Sequence, residues 1–206
     1  MAHNTQSKTC ERGEDEANAK RKCLDDRDDD IDIALKKLRT KASTLYFWPG
    51  HRERDWLTNT FESTFDVGGV TFKSVAWYMW HERAKAWSPN TDLAVLVREA
   101  STQDKAKQLS RRCTSASPEL SAAWMAARLK IMARAVMKKF ECSAELSRRL
   151  VETGDNELLF ASRFDAFYGI GFTMKESIGR VEEWGKNNLG KMLMLVRTRL
   201  CERALR

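Results

Sequence analysis

Apolar positions along this chain follow two spacings, and the places where one gives way to the other mark its elements. Thr44 to Trp48 (TLYFW) is a β-branched and aromatic run ending at Pro49-Gly50, which predicts a buried strand. Phe65-Asp66-Val67 and Val70-Thr71-Phe72 flank Gly68-Gly69, a two-residue hairpin signal. A small sheet near the front of the domain is therefore expected. Ser74 suits an N-cap, and from it to Trp87 the spacing becomes helical with a heavily aromatic face. Trp77, Trp80 and Ala84 share one side, read as core or as a wall on which a base stacks. Asp92 to Ala100 and Asp104 to Arg111 predict two short helices. Ser117-Pro118-Glu119 places a cap residue, a first-turn proline and an acid in order, opening a helix through Trp124, Ala127, Ile131 and Ala135 to Phe140. Arg128, Lys130, Arg134, Lys138 and Lys139 fall on its flanks. Ser143 opens a further helix that ends at Gly154, a residue suited to a left-handed C-cap.

The end of the chain carries the most specific wording. Leu158 to Gly171 is an apolar run that ends in one acid, Asp165, followed by an aromatic and two glycines. Trp184 to Leu200 then joins a glycine-broken turn to an amphipathic helix. Leu189, Leu193, Val196 and Leu200 form its apolar face, with Lys191, Arg197, Arg199 and Arg203 elsewhere on its surface. Gly185 and Gly190 allow close backbone approach, and Asn187 and Asn188 offer amides where the first helical N–H groups lack partners. Such a helix start favours an anion, typically a phosphate; the alternative is an ordinary capped helix.

Length and charge add a division. The chain has 206 residues, which fits one domain with an appendage. Residues 1 to about 30 mix both charges with almost no large apolar side chains and cannot offset the entropy of ordering. Ile31, Ala34, Leu35 and Leu38 have helical spacing, so residues 1–40 are expected to be a disordered charged tail with a short helix, and 41–206 the domain. The first 44 residues hold ten cations and ten anions, which leaves the whole net charge of +7 in residues 45–206. That surplus suits a polyanion such as a nucleotide or nucleic acid, or is simply a basic solvated surface. No apolar run can span a bilayer and no secretory segment opens the chain, so a soluble cytoplasmic protein is expected. The five cysteines are scattered, without C-x-x-C pairs or His–Cys clusters; reduced thiols, no metal site and no cofactor are expected. His81 and Glu82 are acid–base candidates, or merely packed or exposed.

Several blocks in order resemble the NADAR, or YbiA-like, family over about residues 45–200. They are Trp56-Leu57-Thr58-Asn59; Gly69 with Phe72-Lys73-Ser74; Ala106-Lys107 with Arg111; Trp124, Met132 and Lys139-Phe140; and Leu150 with Thr153-Gly154. The most specific are Asp165 to Gly171, which matches D-x-x-W-G-x-G with Tyr168 in place of Trp, and Gly185 to Arg197. The resemblance implies a compact, mostly helical α+β fold with a small hairpin or sheet. It also implies hydrolysis of N-glycosidic bonds, in ribosylamino-pyrimidine phosphates or in ADP-ribosyl-guanine. The ligand would then be a phosphorylated nucleotide-like small molecule or ADP-ribosylated nucleic acid.

The departures concern the acids. Family members carry S-x-E-H or S-E-H at the helix start at Ser74, where this chain continues Val75-Ala76-Trp77, and a second family acid aligns with Phe160. Asp165 remains as the catalytic candidate, able to stabilise an oxocarbenium-like cation or align water, or else to cap the turn at Tyr168-Gly169. Glu82 lies about 10 Å along the helix from Val75, too far to replace the missing glutamate without a shift of substrate. The expected binding residues are Asn59, Ser74, Arg111, Trp124, Tyr168, Gly169, Gly171, Asn187 and Gly190. Trp124 and Tyr168 would stack on a base, and Arg111 with the Gly190 turn would hold phosphate. Three readings stay open: an N-glycosidase, a binding module that has lost turnover, and a nucleic-acid binder using the basic helices Arg128 to Lys139 and Arg197 to Arg206. The sequence sets no oligomeric state.

Overall fold

The computed structural model of the protein describes residues 43–114 and 117–204. The expected tail, 1–40, and its short helix lie outside the described residues. All elements belong to one unit, Thr44–Arg206.

Among the described residues four short strands, seven α-helices and two 3-10 turns make a mostly helical α+β fold. Strand β1 is Thr44–Phe47, β2 Phe65–Val67 and β3 Val70–Phe72. Helices α1 (Val75–Trp87), α2 (Leu93–Arg98), α3 (Gln103–Arg111), α4 (Pro118–Glu141) and α5 (Ala144–Glu152) follow. Then come β4 (Glu157–Phe160), the single turn α6 (Met174–Ser177) and α7 (Asn188–Ala204). Cap chemistry starts five of the helices: Ser74, Thr102, Ser117, Ser143 and Thr173 each accept a hydrogen bond from the N–H three residues on. Gly154 has φ +56°, the left-handed conformation expected of it. Among the described residues no helix is long and apolar enough to cross a membrane.

The sheet differs from the expectation. β2 and β3 pair in an antiparallel hairpin of their own, while β1 pairs in parallel with β4, Thr44 opposite Glu157 through to Phe47 opposite Phe160. Parallel strands need a long crossover, and here the helical body from α1 to α5 supplies it. The Phe47 and Phe160 rings stack 5.5 Å apart across this pair.

The core forms where α4 meets α1, α5 and α7, and where α7 lies against β4. Met132, Ala135, Val136 and Phe140 of α4 are buried, as are Leu189, Leu193 and Val196 of α7. Trp77 donates its indole N–H to Val97 O at 2.6 Å, pinning α1 to α2. Lys139 is not on a solvated flank: it is 2% exposed, and its Nζ donates to Trp56 O at 2.7 Å and Thr58 O at 2.8 Å. Burial lowers its pKa to about 7, partly opposed by Asp55. The ammonium thereby fixes the Trp56–Asn59 segment against the core.

Candidate active site

A cleft of about 390 Å³ opens between α1, α4 and the loop after β4. Ala76, Met79, Trp80, Arg83 and Trp87 line it from α1, at helical spacings that place all five on one face. Trp124, Met125 and Arg128 face them from α4. Asn59, Phe160, Asp165 and Tyr168 form a further part of the wall. Asn59 is held by its carbonyl, which accepts from Ala76 N at 2.7 Å, and by an amide contact to Met132 Sδ at 3.8 Å.

Asp165 is positioned by its own turn. Its Oδ1 accepts from Phe167 N at 3.1 Å and Tyr168 N at 2.7 Å, while Oδ2 has no hydrogen-bond partner among the described residues. The carboxylate thus caps the turn and lines the cleft at once, so the two sequence readings are compatible. Gly169 makes that turn fit, since a Cβ there would lie 2.6 Å from Phe160 O and 2.9 Å from Asp165 O. Burial raises the Tyr168 pKa, Arg128 and Arg83 oppose this, and Asp165 adds to it. The phenol therefore sits within the field of the acid and both guanidinium groups.

Of the residues expected in the site, the fold gathers Asn59, Trp124, Asp165 and Tyr168 on this cleft. The others are used elsewhere. Ser74 is 0% exposed, accepts from Trp77 N and donates its hydroxyl to Gln103 Oε1 at 2.6 Å, which completes a cap. Arg111 is exposed at the end of α3 and lines no part of the cleft. Gly169 and Gly171 shape the Asp165 turn, Gly171 with φ +76°. The expected phosphate cradle at Asn187–Gly190 is a packing device instead. Asn187, 6% exposed with φ 48°, accepts from Phe160 N at 3.1 Å and donates to Leu158 O at 2.9 Å, so its amide closes the edge of β4. A Cβ on Gly190 would collide with Leu158 O and the Asn187 amide.

The cleft also holds Arg83, Trp87 and Arg128, none of them among the expected binding residues; Arg128 was expected only on a basic helix flank. Arg83 and Trp87 share the cleft face of α1 with Ala76 and Trp80, a face the sequence did not distinguish from the core side that carries Trp77 and Ala84. At the start of α1, Ala76 lines the cleft, whereas Val75 is fully buried and does not. Glu82 is no surrogate, because it pairs with His81 at 3.1 Å and Lys85 at 3.2 Å and lines no part of the cleft; these contacts, His81 first, lower its pKa. The basic helices offer fewer free cations than their sequences promised. Lys139 is buried, Arg197 donates to Thr153 Oγ1 and Asn156 O, and Arg203 pairs with Glu141.

Comparison with known proteins places this arrangement. The NADAR domain profile matches residues 46–201. An N-glycosidase of Acanthamoeba polyphaga mimivirus is 36% identical over 103 residues, 49% of this chain and 59% of that protein. An N-glycosidase of Nostoc punctiforme is 30% identical over 158 residues, 75% of this chain and 90% of that protein. A riboflavin biosynthesis protein of Vibrio vulnificus is 29% identical over 160 residues, 78% of this chain but 39% of that protein. The NMR structure of the Escherichia coli protein YbiA superposes with a TM-score of 0.63 at 24% identity, covering 79% of this chain and 88% of that one.

Proposed function

We propose that this chain, which belongs to the NADAR domain family, is an N-glycosidase that hydrolyses the ribose–base bond of a phosphorylated nucleotide-like substrate. The observation that carries the reading is the placement of Asp165 on one cleft with Trp80, Trp124 and Tyr168. Breaking the bond develops positive charge on the sugar and negative charge on the departing base, and water supplies the hydroxyl to one and the proton to the other. Asp165, with Oδ1 fixed by two backbone N–H groups, stabilises the sugar cation or orients the water. The indoles and the phenol give flat surfaces against which a base stacks. Two relatives at 36% and 30% identity that are named N-glycosidases support this assignment.

A second reading keeps the cleft and drops the turnover. Ala76 and Phe160 face the cleft at or beside positions where the family carries acids, which leaves one carboxylate, Asp165, on its wall. Single-turnover release of base from ribosylamino-pyrimidine phosphate and from ADP-ribosylated guanine separates the two, with Asp165→Asn as the control. The glycosidase reading expects turnover that falls about 100-fold or more in the variant, roughly 2.7–4 kcal/mol of barrier, with ligand affinity nearly unchanged. No release from either substrate by the wild-type chain leaves a binding module, and equal rates in both proteins remove Asp165 from the chemistry.

A further inference from the structure

We propose that Arg83, Trp87 and Arg128 form the phosphate-binding subsite of this cleft, taking the phosphate or pyrophosphate of the substrate; this rests on the nucleotide-like ligand proposed above. Arg83 Nε, Trp87 Nε1 and Arg128 Nε are three of the four buried side-chain N or O atoms without a hydrogen-bond partner among the described residues. All three belong to residues that line the same cleft. An indole or guanidinium N–H is a donor and nothing else, so what these three atoms lack is an acceptor. Buried polar groups in folded proteins are almost always paired, and three unpaired donors on residues that line one cavity call for an acceptor such as a phosphate oxygen.

The guanidinium groups are also set in advance. Arg83 Nη2 donates to Ser110 O at 2.6 Å, and its Cζ lies 5.3 Å from the Trp87 ring centre. Arg128 stacks on Phe167, Cζ 3.4 Å from the ring centre, within the turn that Asp165 caps. Arg83 and Trp87 are four residues apart on α1, hence on one face. Neither arginine forms an ion pair with a described carboxylate, and the two guanidinium groups share the cleft with a single acid, Asp165. Planar donors held by stacking and a backbone carbonyl suit the tetrahedral oxygens of a phosphate better than flexible lysines do. In this proposal the phosphate is held by Arg83 and Arg128 and the ribose faces Asp165.

The test measures binding rather than turnover, by calorimetric titration of the full chain with ADP-ribose, adenosine and inorganic pyrophosphate. Arg128→Gln is the first variant, because Arg128 stacks on a ring and ties down no backbone; Arg83→Gln and Arg83→Lys follow, each with its melting temperature recorded. Each Gln variant is expected to weaken ADP-ribose and pyrophosphate at least tenfold and to flatten the salt dependence of binding. Adenosine affinity should stay within twofold, and Arg83→Lys should recover part of the loss. A wild-type chain that binds neither ADP-ribose nor pyrophosphate overturns the proposal. So does a folded Arg128→Gln that binds ADP-ribose as the wild type does, or that loses adenosine equally. Phosphate-dependent binding without base release upholds the subsite while the glycosidase reading falls.

Discussion

At the scale of single residues, Lys139 shows how a charge can serve structure beside a site without entering it. Its ammonium is 2% exposed and bonded to two carbonyls, and its pKa is about 7 against an unfolded value of about 10.4. Between those two values the unfolded chain holds a proton that the folded chain has released. Stability from this residue therefore rises with pH across that window, by at most about 1.4 kcal/mol per pH unit, and the cost of burying the charge is in full force below it. Lys139→Met removes the titration and leaves the carbonyls of Trp56 and Thr58 unpaired, a loss of about 1–3 kcal/mol. Urea denaturation at about pH 6 and about pH 9 should show the wild type gaining on the variant as pH rises. Parallel stability curves would mean that Lys139 keeps its charge in the fold.

At the scale of elements, the turn before α7 and the strand β4 act as one piece. Asn187 satisfies both Phe160 N and Leu158 O, and Gly190 lets the first turn of the helix lie on Leu158 O. Gly190→Val must push the helix from the strand, at a cost of about 3 kcal/mol or more, or a fall of roughly 6–12 °C in Tm. Nucleotide affinity of the fraction that stays folded should not change. The reverse result, lost affinity at unchanged Tm, would give the turn back its role as a phosphate cradle. This pair also shows what the sequence made legible. Caps at Ser74, Ser117 and Ser143 and the Gly68-Gly69 hairpin are local, so residue type and spacing were enough to predict them. The β1–β4 pairing was hidden because nothing in TLYFW names a partner beyond five intervening helices. Of the site, Asp165 stood out as a candidate in its motif and lies on the cleft wall, while Arg83 and Trp87 could not be separated from a helix whose aromatic residues face both core and cleft. Lys139 was misread because a basic residue among basic neighbours looks solvated until its carbonyl partners are known.

At the scale of the whole molecule, fold, cleft and net charge reside in the same stretch of chain. Every described element and every cleft residue lies within Thr44–Arg206, a unit by itself. The first 44 residues carry equal numbers of cations and anions, so removing residues 1–42 takes no large net charge away. Long-range attraction of a polyanion depends on net charge and its screening, and stability depends on the core, so the deletion should touch neither. A chain beginning at residue 43 is therefore expected to melt within about 3 °C of the full chain, since a change below about 1 kcal/mol moves Tm by that much at this size. Its association rate with ADP-ribose should match the full chain's at low salt and fall in parallel as salt is raised. Stopped-flow binding and thermal unfolding of the two chains side by side decide the matter. A shortened chain that fails to fold, or that associates tenfold more slowly with its cleft intact, would show that residues before 43 contribute to the domain or to its field.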